Sequence, residues 1–220
     1  MTPNSLNTVT ELAHQTLPRK ERERNVKRHD ILTAARKVFA QKGYANATLE
    51  EIAERAEFAK GTLYNYFDSK ERLFDAMVAG LLEDMTEITK HAIAEGGSVR
   101  EQFHRCARHI MEYYKTNEDV FRVLIRETDR MELEEERAHW SEVLERVRGL
   151  TDVLANVLGR EIAKKNIIRE EPDALAQVFI GMIHDRVMRR SIEGKGLHFL
   201  DTKKESAFIL KVFFEGAALP

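Results

Sequence analysis

Between residues 48 and 70 the chain concentrates side chains that can pair with a flat, charged surface: Thr48, Lys60, Thr62, Tyr64, Asn65, Tyr66 and Lys70, with Gly61 among them. Ammonium, hydroxyl and carboxamide groups are the ones that meet base edges and phosphate oxygens in duplex DNA. Gly61 and Thr62 keep their segment slim enough to enter a groove. Lys60 and Thr62 suit base edges, Thr62 also through its methyl toward thymine, while Tyr64 and Tyr66 suit phosphates and sugars. The chemistry predicted is recognition rather than bond making.

Other reactive residues compose less. His104, Cys106, His109 and Glu112 lie close in sequence, and Cys106 and His109 share a helix face at i, i+3. A metal needs a third ligand, which is not evident, and a lone Cys usually behaves as a small buried hydrophobe. Neither a metal nor a cofactor is expected. His184-Asp185 reads as a polar pair of a core or interface. There is no nucleophile elbow, no phosphate-cradling glycine loop and no His-Glu zinc motif, so enzyme activity is not expected.

The elements that hold the recognition residues follow from periodicity. Leu49, Ile52, Ala53 and Ala56 recur at i, i+3, i+4 and i+7, the mark of a short amphipathic helix. Thr48 with Glu51 three residues on is a capping box that fixes its start. Glu57-Phe58 interrupts the pattern. A second short helix is predicted from about Ala59 to Phe67, burying Leu63 and Phe67 and leaving Lys60, Gly61, Thr62, Tyr64, Asn65 and Tyr66 toward solvent. Before them, Ile31, Leu32, Ala35, Val38 and Phe39 form one face of a bracing helix, with Gly43 as a left-handed stop. Two short helices joined by a tight turn match a helix-turn-helix, whose second helix enters the major groove.

The spaced residues Phe39-x-x-x-Gly43-Tyr44, Thr48-Leu49-x-x-Ile52-Ala53 and Lys60-Gly61-Thr62-Leu63-Tyr64-x-Tyr66-Phe67-x-Ser69-Lys70-x-x-Leu73 resemble the N-terminal signature of the tetracycline-repressor (TetR) family. The likeness runs from about Lys27 to Phe74. It implies an N-terminal three-helix DNA-binding domain ahead of a helical effector-binding and dimerisation domain, and the periodicity of the whole chain gives an all-α fold of about nine helices. It also implies that Thr48, Tyr64, Tyr66 and Lys70 mostly serve phosphate. Two departures stand out: Glu57 where the family usually has Gly in the turn, and Ala59 where it has a Ser or Thr cap. Each is expected to cost about 1 kcal/mol.

Composition bounds the rest. Charged residues make up 33% and prolines number only 4, which favours long helices, while 43% apolar residues suffice for a core. Net charge is −2, so any attraction to phosphate must come from local clustering, as in Arg19, Lys20, Arg22, Arg24, Lys27 and Arg28. A single Cys excludes an internal disulfide, and no apolar run approaches the ~18 residues of a membrane helix. A soluble cytoplasmic protein without a membrane partner is the default. A mobile basic arm is expected to about residue 22, a DNA-binding domain over 23–69 and the second domain over 70–220.

In that second domain, the resemblance implies that a helix from about Asp68-Ser69 links the two parts, and it is expected to act as a lever. Ser98 with Glu101 forms another capping box, and Pro172 suits a helix first turn. Phe103, Cys106, Met111, Tyr113, Tyr114, Phe121, Trp140 and Phe179 are the residues expected to line an effector pocket. Leu175, Phe179, Met182, Ile183, Phe208 and Val212, on the last two helices, are those expected at a dimer interface. Together these predict a homodimeric, ligand-responsive regulator, a repressor first, that binds a palindromic double-stranded operator and an unknown small molecule. An activator or effector-independent regulator of the same fold stays open, as does a helical enzyme or carrier with a vestigial DNA-binding motif.

Overall fold

A computed structural model describes residues 18–128 and 141–217. Among them the chain is helical throughout, in nine helices with no strand: α1 Arg19–Asn46, α2 Leu49–Arg55, α3 Lys60–Tyr64, α4 Lys70–Ala94, α5 Val99–Thr116, α6 Glu118–Thr128, α7 Ser141–Ala163, α8 Pro172–Ile192 and α9 Thr202–Ala217. The all-α expectation holds. Two compact units meet along the sequence at Phe74 and Asp75, so α4 begins in the first and ends in the second. The first seventeen residues of the expected arm, and Trp140 among the expected pocket residues, lie outside the described residues.

The first unit, the head, is built on α1. Ile31, Ala35, Val38 and Phe39 are buried on one face, together with Leu49, Ile52 and Ala53 of α2 and Leu63 of α3. Phe39, Tyr44 and Phe74 close the core as an aromatic trio, with ring centroids 4.9 to 5.7 Å apart. Gly43 has positive φ as expected, but with ψ of 168° it adopts an extended, glycine-only conformation rather than a left-handed stop. The chain kinks there and makes one more helical turn to Asn46. Upstream, the helix continues to Arg19 as three exposed turns.

The second unit, the body, packs α8 against α7 and α9, and α5 against α9, α8 and α6. Each start has a local cause. Ser98 and Glu101 form the complete capping box of α5. Pro172 occupies the first turn of α8. Asp201 accepts the Lys204 amide to open α9. The centre is aromatic: Phe103 of α5, Phe179 of α8 and Phe213 and Phe214 of α9 pack with centroids 4.7 to 5.9 Å apart.

Of the residues expected to line a pocket, Phe103, Cys106, Met111, Tyr114, Phe121 and Phe179 are buried. Tyr113 is half-buried and donates its hydroxyl to Asp84 at 2.6 Å. Two open clefts of the body, about 460 and 410 Å³, are lined by other residues: Gln102, Arg160 and Lys164 in one, Arg122, His198 and Phe199 in the other. Leu175, Phe179 and Ile183, expected at a dimer surface, are likewise buried inside their own chain. A helix whose apolar residues nearly encircle it must bury one side before it can offer the other, and the sequence did not separate the sides.

Candidate nucleic-acid interface

The interface candidate begins with how α2 and α3 are held. Thr48 accepts the Glu51 amide, and Glu51 accepts the Thr48 amide in return, so the expected capping box is complete. Lys42 donates to the same Glu51 carboxylate at 2.5 Å and keeps it below the usual carboxylate range. These contacts satisfy the first turn of α2 and tie it to the bracing helix.

The turn that follows is strained. Glu57 has φ of +60°, a conformation that a side chain disfavours. Ala59, at the N-cap of α3, offers no side-chain acceptor to the free amides behind it. The helix is therefore shorter than predicted. It ends at Tyr64, after which Asn65 and Tyr66 donate to carbonyls three residues back, Thr62 and Leu63, in a tightened turn. Burial of Leu63 (0% exposed) and Phe67 (5%) holds this short segment where local propensity does not.

Above that anchor, Lys60, Gly61, Tyr64 and Asn65 are exposed and Thr62 is half-buried. Lys60 forms an ion pair with Glu50 of α2, and its Nζ lies 5.7 Å from the Tyr64 ring centroid. The pairing raises the Lys60 pKa and lowers that of Glu50. Sequence reasoning missed Glu50; the signal was an acid in the first turn of α2, ten residues before the lysine that opens α3.

Tyr66 is half-buried, and the Arg24 guanidinium lies 5.9 Å over its ring; Arg28 lies 5.5 Å over Phe67. The basic turns of α1 thus reach the end of the recognition segment. Lys70 has another task. Its Nζ donates to the carbonyls of Tyr44, Ala45 and Ala47 at 2.9 to 3.2 Å and sits 4.6 Å from the Tyr44 ring centroid. All three N–H donors are spent on the end of α1, so Lys70 is a clamp of the head rather than a ready phosphate ligand.

Elsewhere, Cys106 is fully buried, donates weakly to the Thr89 carbonyl, and has its thiol pushed up to about 12 by desolvation. Such a thiol has little metal-binding or nucleophilic character. Tyr114 and His184 share a hydrogen bond of 3.0 Å, while Asp185 accepts from Arg189.

Residues 31–77, which contain α2, α3 and their brace, match the model for bacterial regulatory proteins of the tetR family. This segment of the head is of the tetR type. It is 36% identical over 93 residues to the HTH-type transcriptional regulator YhgD of Bacillus subtilis, covering 42% of this chain and 49% of that protein. It is 34% identical over 70 residues to the HTH-type transcriptional repressor KstR2 of Rhodococcus jostii, covering 32% and 34%. The chain thus matches half or less of the length of these curated relatives. Over the whole fold it is similar to the FadR regulator of Bacillus subtilis, solved with stearoyl-CoA: TM-score 0.73 at 21% identity, covering 86% of this chain and 98% of that one. That likeness is one of fold.

Proposed function

We propose that this chain is a homodimeric transcriptional regulator of the tetR family, a repressor in its first reading, that binds a palindromic operator through α3 and answers to a small apolar molecule. The observation that carries it is the exposure of Lys60, Tyr64 and Asn65 on a segment pinned from beneath by Leu63 and Phe67. A surface so supplied with donors, on a head with basic turns nearby, suits a polyanion with readable edges.

Pairing follows from size, since one short recognition helix covers too few base pairs for a specific site. Val178, Phe208 and Val212 are 54%, 50% and 47% exposed on the adjoining helices α8 and α9, with half-buried Met182 beside them. An apolar stripe of this kind suits a second copy of the chain. Two heads would then address half-sites about one helical turn apart. The fold shared with a regulator captured with stearoyl-CoA supports the effector reading, in which a ligand acts through its different affinity for two states of the dimer. Gel shift on the DNA upstream of the chain's own gene tests the proposal. A sequence-specific band lost in Tyr64→Ala is expected, and the absence of any specific band at moderate salt would contradict it.

A further inference from the structure

We propose that Glu50 is a positioning residue that neutralises and orients Lys60, so that α3 spends this lysine on base-edge acceptors more than on phosphate. The inference rests on the DNA-binding reading above. Lys60 opens α3, Glu50 lies in the first turn of α2, and the pair spans the two helices on the exposed side of the head.

The neighbouring acid supplies the contrast. Glu51 is built into the fold, since its carboxylate receives the Thr48 amide and Lys42. Among the described residues Glu50 meets only Lys60 and its own backbone N–H, and the two side chains are 52% and 58% exposed. An ion pair this exposed adds little to stability. A carboxylate on a surface that faces phosphate also works against binding. Its consequence is therefore sought in how Lys60 is used.

On a duplex of arbitrary sequence, a phosphate must displace a carboxylate already in contact with Lys60, and the exchange gains little. A guanine in the major groove offers neutral O6 and N7 acceptors at one defined place, and two N–H donors of the ammonium are left for them while the third stays on Glu50. Paired with Glu50, Lys60 contributes to discrimination between sequences while adding little to general affinity.

The test is fluorescence anisotropy of the full chain on two duplexes about two helical turns long, titrated between about 50 and 200 mM salt. One has mixed sequence; the other carries the site found by gel shift. Glu50→Gln is expected to tighten the mixed duplex about five- to tenfold near 0.1 M salt and to steepen the log–log salt slope by about 0.9, one added phosphate contact. The specific site gains less, so the ratio of specific to mixed affinity falls. Adding Lys60→Met should remove the gain, and Glu50→Asp should restore most of the ratio. Lys60→Met alone should weaken the specific site about tenfold and leave the mixed duplex within about twofold, a readout that stands should Glu50→Gln fail to fold. Unchanged binding and slope in Glu50→Gln overturns the proposal, as does a gain that survives without Lys60. Failure of the unaltered chain to bind either duplex overturns the DNA-binding reading beneath it, which separates the two failures.

Discussion

Two outward surfaces of this chain, one in each compact unit, differ in kind. On α3 the exposed groups are an ammonium, a phenol and a carboxamide, from Lys60, Tyr64 and Asn65. On α8 and α9 they are Val178, Phe208 and Val212, with Met182 half-covered. Water satisfies the first surface at no cost and the second only at the cost of exposed apolar area. The first is thus stable alone and can exchange water for a polar ligand, whereas the second gains by being covered. Beneath each surface lies a buried row, Leu63 and Phe67 in the head, Phe179 and Ile183 in the body. The outer residues are read as functional because the inner ones already account for folding.

Substitutions can break this contrast. Removing an inner residue should unfold its unit, and removing an outer one should spare the fold. Phe179→Ala empties the aromatic centre of the body and should cost about 4 kcal/mol in denaturant unfolding. Leu63→Ala should cost about 3 kcal/mol in the head and abolish DNA binding with it. Val178→Glu, one residue from Phe179, should leave unfolding nearly unchanged yet weaken self-association on the order of a hundredfold in sedimentation, because a carboxylate would have to be buried. If Val178→Glu unfolds the body as Phe179→Ala does, the division into inner and outer faces is wrong.

Smaller effects sharpen the comparison within the head. Thr48→Ala removes the acceptor of a complete capping box and should cost about 1 kcal/mol. Ala59→Ser supplies the acceptor that α3 lacks and should gain about 0.5 to 1 kcal/mol in thermal unfolding. A loss in place of that gain would show that the bare start of α3 is not a weakness of the head.

What the sequence made legible was local. The Thr48–Glu51 and Ser98–Glu101 boxes, the burial of Leu63 and Phe67, the Pro172 start and the strained position of Glu57 all depend on residues within one or two turns of each other. What escaped depends on contacts between elements. Lys70 is matched by type to a phosphate ligand, yet its donors reach carbonyls 23 to 26 residues earlier. Phe103 and Phe213 become neighbours only when α5 meets α9, so pocket and core could not be told apart. The α8 stripe is apolar on too much of its circumference for periodicity to say which part faces inward. Glu50 and Lys60 lie ten residues apart across a turn, beyond any one-helix spacing.

The central claim is that a pinned α3 reads duplex DNA while a paired body sets the distance between two such heads. Selection of binding sites from a random duplex pool by the full chain tests it most directly. The account predicts enrichment of an inverted repeat with half-sites about one helical turn apart, and no enrichment when the pool is presented to the Tyr64→Ala chain. A pool that stays random with the unaltered chain, or that converges on a single unrepeated half-site, would contradict it.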